Sequence, residues 1–327
     1  MLWLWILLGV VGGLLLICII LFAITYVIHG KMFNKRYTPL DIDSYTAEEF
    51  KLDSKKLEVN YKGKVIRGYF YSLGDYDRNK LVIFAHGMDS SKESYIQEIA
   101  YLASKGFLVL GFDYFGTNES DGKLMGFGNS LKSLDLVIDY IKNSEEYKNK
   151  ELYVIGHSWG GYATLNIVKY HKDIKGIVAM APAVSLYKIF RGSYLKQNVI
   201  VTLLILLVEY CKLGKYSLCN GAKSLKKYNG KIMVVQSKND NVVAFKSSLG
   251  YVKDNIGNKA EYIVMEDRFH NPDYKKEAVD KLMKFYGEMG KCKKEDLPEL
   301  FKKQDFRAMG ELDPEVMDKI VDFLKSN

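Results

Sequence analysis

The first thirty residues contain no Lys, Arg, Asp or Glu, and the run from Leu2 to Ile28 is apolar apart from Thr25, Tyr26 and a few glycines. As a helix rising about 1.5 Å per residue, this run would reach roughly 40 Å, more than a hydrocarbon core of about 30 Å. Trp3, Trp5 and Tyr26 lie near its ends, where amphipathic rings prefer the interface. A cleaved signal peptide wants a basic start, a shorter apolar core and a small-residue cleavage site, none of which is present. A lipoprotein reading at Cys18 fails as well, because Ile17 precedes it where a small residue is needed. The pattern predicts a retained membrane span over residues 1–29. Lys31, Lys35 and Arg36 follow it directly, so the positive-inside bias predicts a single-pass protein of the cell membrane with its bulk in the cytoplasm.

A polar linker over 30–50 follows, then two β-like stretches at Leu57–Tyr61 and Lys64–Tyr71. From there, short apolar runs alternate with segments of helical period. The runs are Leu81–Ala85, Phe107–Phe112, Glu151–Ile155, Gly176–Met180, Lys231–Gln236 and Ala260–Met265. The helical segments are Tyr95–Ser104, Ser130–Ile141, Trp159–His171 and Ala244–Asn255. Runs of five or six apolar residues flanked by Gly or Asp suit strands buried on both faces of a parallel sheet. The alternation predicts an α/β domain over 51–327, mostly parallel and flanked by helices. A final amphipathic helix is predicted over Pro314–Leu324.

One interval breaks the rhythm. Between Met180 and Lys231 lie some fifty residues, where a simple crossover needs far fewer. Insertions of this size tend to be functional, and residues 183–230 read as a helical lid. Within it, Val199–Val208 is apolar except for Thr202, too short to span a bilayer but suited to a buried or interfacial helix.

Composition narrows the class. The chain has 327 residues, 48% of them hydrophobic and 26% charged, near globular averages, which excludes wholesale disorder and a multi-span membrane protein. Four cysteines make no dense disulfide framework and no pair with zinc-knuckle or redox spacing. The net charge of +8 raises the question of nucleic acid, and its distribution answers it. From Ala183 to Lys231 there are nine Lys or Arg residues against Glu209 alone, so this segment carries the whole excess. A basic segment interleaved with an apolar helix, beside a membrane span, fits anionic headgroups better than nucleic acid.

The candidate chemistry begins at Gly156-His157-Ser158-Trp159-Gly160, a G-x-S-x-G placed between a buried run and a helical one. That strand–turn–helix setting is what a nucleophile elbow requires. A serine hydroxyl needs a base, and five histidines allow elimination. His29 ends the span, His157 adjoins the serine with its side chain directed elsewhere, His171 lies down the next helix, and His86 suits a turn. His270, in the loop after the last strand, remains. A base needs an acid partner, and Asp240, after the Lys231–Gln236 run, is preferred over Glu266, Asp267 and Asp254. The oxyanion of such a reaction needs two N–H donors. Trp159 supplies one by position, and Met88, in the turn His86–Asp89, is the candidate for the other.

These residues, with Asp113-Tyr114-Phe115-Gly116, Ser120 and Gly122, resemble the α/β-hydrolase superfamily. Within it the chain is similar to the serine aminopeptidase S33 and monoacylglycerol-lipase-like hydrolases. Phe115 and Asn118 depart from the family pattern, which often has Arg and Gly there. The resemblance implies an α/β-hydrolase fold with Ser158 as nucleophile, Asp240 and His270 as its partners, Met88 and Trp159 as oxyanion donors, and Asp113 organising its loop. It implies no metal and no organic cofactor. Span, apolar lid and basic lid together lead to the expectation of a membrane-anchored serine hydrolase that cleaves lipid-like esters. The alternatives are a serine peptidase, or a silent scaffold that binds lipid or a partner.

Overall fold

The computed structural model describes residues 1–39, 42–192 and 197–326; Lys196, counted above in the basic segment, lies outside them. The chain opens with a long helix, α1 (Leu2–Phe33), followed by a hairpin of β1 (Asp53–Tyr61) and β2 (Lys64–Ser72). The alternating part runs β3 (Lys80–Ala85), α2 (Ile96–Ser104), β4 (Leu108–Phe112), α3 (Asn129–Asn143), β5 (Glu151–His157), α4 (Trp159–Ile167) and β6 (Gly176–Met180). The insertion contributes α5 (Leu186–Gly192), α6 (Val199–Leu213) and α7 (Gly221–Lys226). The chain then forms β7 (Lys231–Ser237), α8 (Leu249–Ile256), β8 (Glu261–Met265), α9 (Lys276–Met289), α10 (Leu297–Lys302), α11 (Phe306–Met309) and α12 (Pro314–Lys325).

The eight strands form one sheet in the order β1-β2-β4-β3-β5-β6-β7-β8. The hairpin pairs antiparallel with itself and with β4, and every other pairing is parallel. This is the mostly parallel sheet that the apolar runs predict. The reason is visible in β3: Leu81, Ile83 and Ala85 enter the core shared with α3, α4, α7 and α8, while Val82 and Phe84 enter the opposite core under α2 and α12. Side chains alternate across a strand, so one buried on both faces must be apolar throughout.

Three differences from the expected elements have local causes. The strand before Ser158 runs two residues further, through Gly156 and His157, because both extend the ladder to β6. The following helix stops at Ile167 rather than His171, as Lys169 and Tyr170 turn their amides to the carbonyls three residues back. The helix expected from Ala244 starts at Leu249, whose amide is drawn to Gln236 Oε1 at 3.0 Å.

Helix α1 is long and apolar enough to cross a membrane, and nearly all its side chains face outward. It runs on to Phe33, and the polar segment after it docks on the domain. Met125 N–H donates to Phe33 O at 2.8 Å, and Tyr37 and Asn118 exchange further backbone bonds with this region. Helix α6 packs along α1 and leaves Ile200, Leu203 and Leu207 exposed. All four cysteines are free thiols, Cys211 and Cys219 among them.

Candidate active site

The parallel strands deliver the predicted residues to one edge of the sheet, outside their carboxyl ends, where α/β folds place ligands. Ser158 follows β5 directly with φ 56° and ψ −109°, a conformation L-residues avoid and which costs on the order of 1–3 kcal/mol. The glycines at either side explain the spacing of the motif. A Cβ at Gly160 would lie 1.9 Å from Ala85 O, and one at Gly156 would lie 2.3 Å from Thr164 Oγ1. Only bare backbone lets the turn nest between β3 and α4.

His270 Nε2 lies 2.8 Å from Ser158 Oγ, and His270 Nδ1 lies 3.0 Å from both carboxylate oxygens of Asp240. The carboxylate accepts only, so the ring proton is on Nδ1 and Nε2 is free to accept from the serine hydroxyl. Asp240 is buried, and its charge is met by donors: Val242 and Val243 amides to Oδ1 at 2.9 Å each, and Gln236 Nε2 to Oδ2 at 2.9 Å. The two loops that carry acid and base are clamped together, since Asn239 Oδ1 accepts the Phe269 amide and Ser237 Oγ accepts the Arg268 amide, both at 2.9 Å. Phe269, with φ 46°, then turns His270 toward the serine.

Met88 and Trp159 lie on the two segments expected of oxyanion donors. Trp159 is the first residue of α4, so its amide belongs to the first turn of the helix, whose N–H groups have no intrahelical acceptor. Met88 sits half-buried in the turn after β3. That turn is held from below. His86, fully buried, donates Nδ1–H to Gly87 O at 2.7 Å and stacks on Tyr114, whose hydroxyl donates to His86 O at 2.8 Å. Burial pushes the His86 imidazole down to about 3. Lys92 pins the far end of the turn to the β4 exit: its amide donates to Asp113 Oδ1 at 3.0 Å and its Nζ to Asp113 Oδ2 at 2.9 Å. Burial works against the Lys92 charge, and the Asp113 and Glu93 carboxylates overcome it, holding the ammonium above the ordinary lysine range. Glu93, Asp113 and Glu119 together have a spacing that could hold a cation, but the Lys92 ammonium already lies within 3.0 Å of all three.

His157 is not the base: both its ring nitrogens are bonded to groups other than Ser158. It nevertheless joins the two halves of the site. Its Nε2–H donates to His270 O at 2.8 Å, Tyr95 Oη donates to its Nδ1 at 2.7 Å, and Gly87 N–H donates to Tyr95 Oη at 3.1 Å. Every proton in this chain has one possible direction, because a backbone carbonyl only accepts and a backbone amide only donates. Burial, then the nearby His270, pushes His157 down to about 3, so it stays neutral. Tyr95, Gln236 and Lys92 carry no motif that points to them; only Gln236, the polar residue that closes the apolar run of β7, has a local signal.

This chain is an α/β-hydrolase-fold protein, by sheet order, elbow and placement of the site. Residues 76–218 match the family model described as serine aminopeptidase, S33, a stretch that includes Met88, Ser158 and Trp159 and ends before Asp240. Among solved structures, an esterase of Pyrococcus furiosus is 21% identical with a TM-score of 0.56, over 83% of this chain and 98% of that one. The ferulic-acid-bound Est1E of Butyrivibrio proteoclasticus is 18% identical with a TM-score of 0.56, over 72% of this chain and 100% of that one. No curated protein matches in sequence. At these identities the likeness is one of fold.

Proposed function

We propose that the chain is a membrane-anchored serine hydrolase that cleaves carboxylic esters of lipid-like alcohols through an acyl-enzyme. One observation carries this reading: the 2.8 Å contact between Ser158 Oγ and His270 Nε2, backed by the buried Asp240. His270 takes the serine proton as Oγ attacks the substrate carbonyl, and Asp240 stabilises the imidazolium that forms. The oxyanion of the tetrahedral intermediate sits on the Met88 and Trp159 amides, donors worth about 10²–10³ each in rate. His270 then protonates the leaving alcohol, and a water activated by the same imidazole hydrolyses the acyl-enzyme. No step asks for a metal or an organic cofactor. The esterase neighbours agree with an ester substrate. The family model's name favours a second reading, a peptide bond cleaved by the same residues.

The membrane part of the reading rests on α1 as a single span and on residues 183–230 as a lid. Its helix α6 turns apolar side chains outward, and Lys188 and Arg191 of α5, Lys212 of α6 and Lys223 and Lys226 of α7 supply basic charge suited to anionic lipid. Lys31, Lys35 and Arg36, by the positive-inside bias, favour the cytoplasmic side for the hydrolase domain, residues 51–327. An impermeant maleimide applied to intact cells is therefore expected to leave Cys292 unlabelled and to reach it after lysis; labelling in intact cells would reverse the sidedness. The activity is tested by a fluorophosphonate probe on the detergent-solubilised protein beside Ser158→Ala and His270→Ala. Labelling is expected in the wild type and in neither variant, and a folded wild type that never reacts, even with anionic vesicles present, overturns the enzyme reading. Acyl-ester and peptide libraries then separate esterase from peptidase.

A further inference from the structure

His29 is the one buried side chain of α1, 4% exposed on a helix that otherwise faces outward. It meets Glu209 of α6, itself 1% exposed. Lys212 Nζ lies 2.9 Å from His29 Nδ1, and an ammonium can only donate, so the ring proton is on Nε2. That Nε2–H donates to Glu209 Oε1 at 2.7 Å. The carboxylate then reaches the catalytic domain, where Oε1 accepts the Phe127 amide at 2.7 Å and Oε2 the Gly128 amide at 3.3 Å. Gly126-Phe127-Gly128 is shaped as its seat: a Cβ at Gly126 would lie 2.6 Å from Oε1, and one at Gly128 would lie 2.9 Å from Tyr216 O.

The other side of the seat is the indole of Trp159, whose Nε1–H donates to Phe127 O at 2.5 Å. Phe127 C=O and Gly128 N–H are the two ends of one peptide unit. Glu209 holds its N–H end and Trp159 its C=O end, an arrangement in which each bond polarises the next. A tether needs none of this. Burying a carboxylate between an anchor and a lid is costly unless its lone pairs are filled, and here they are filled by the anchor on one side and the elbow's neighbour on the other.

We propose that His29 and Glu209 are positioning residues for the site. Through the Phe127–Gly128 peptide and the Trp159 indole they fix the first turn of α4, and with it the Trp159 amide that meets the oxyanion. The N-terminal helix is then part of the support of the active site as well as its anchor. This rests on the reading of Ser158 as nucleophile.

The test uses the full chain in detergent, labelled with 15N-tryptophan, with Trp159→Phe assigning one of the three indole signals. His29→Ala is expected to shift the Trp159 indole resonance. It is also expected to slow fluorophosphonate reaction, and kcat on a soluble short-chain ester, by about tenfold with KM held, a fraction of the loss from removing an oxyanion donor. His29→Gln, which restores a donor to Glu209, recovers most of the rate. In a Trp159→Phe background, His29→Ala costs less than about twofold, because the link is already cut. If His29→Ala does not fold, Glu209→Gln carries the same measurements. An unmoved indole resonance in a folded variant overturns the proposal, as does a full tenfold loss in the Trp159→Phe background. A wild type that never reacts with the probe overturns the hydrolase reading instead, and the indole resonance still decides whether the link exists.

Discussion

Two histidines beside the site, His86 and His157, are held neutral by burial, each with its pKa pushed down to about 3 from an ordinary 6.5. Below pH 6.5 the unfolded chain takes up protons that the folded chain refuses at these rings. Their stabilisation is therefore complete above about pH 6.5 and is lost as the pH falls toward 3, at up to about 1.4 kcal/mol per pH unit for each ring. The urea midpoint is expected to drop steadily from pH 7 to pH 4.5, and His157→Gln, which keeps a donor and an acceptor, to flatten that slope. An unchanged slope would mean that the ring titrates in the folded protein. The contrast between these histidines and His270 marks what the sequence could and could not tell. Ser158, Asp240 and His270 were legible because a motif, a chain order and a shortage of histidines narrowed the choice. Tyr95, His157, Lys92 and Glu209 act through partners 21 to 180 residues away in the chain, and no local pattern encodes such a pairing.

At the scale of elements, apolar periodicity located the strands well because burial on both faces leaves β3 to β7 little choice of residue. Helix α6 obeys a different constraint. It buries Thr202, Val208, Glu209 and Leu213 and shows Ile200, Leu203 and Leu207 to the outside, 63%, 55% and 48% exposed. A helix facing water would put its polar residues there, whereas under the proposed membrane reading this face has a second apolar phase to meet. Leu203→Lys is expected to lower cleavage of an ester embedded in vesicles by about tenfold, the order of one leucine withdrawn from hydrocarbon, while cleavage of a soluble short-chain ester falls far less. Equal losses on both substrates would mean that this face works within the protein and not at the bilayer.

At the scale of the whole molecule, the tail that follows His270 in sequence closes the second core. Val316, Met317, Ile320, Phe323 and Leu324 of α12 pack with α2 against Val82, Phe84, Tyr153 and Val178 of the sheet. Its amphipathic pattern was plain, but the face it would cover could not be read from the chain, because that face is assembled from strands more than a hundred residues upstream. Phe323→Ala is expected to cost about 3–5 kcal/mol in urea unfolding, as other buried phenylalanines do. Tyr286→Ala, at a half-exposed ring, serves as the comparison and should change stability by only about 0.5 kcal/mol. Helix α12 is made only after every strand of the sheet. During synthesis one face of the sheet thus lies bare, and the domain depends on chaperones or on speed until the closing helix arrives.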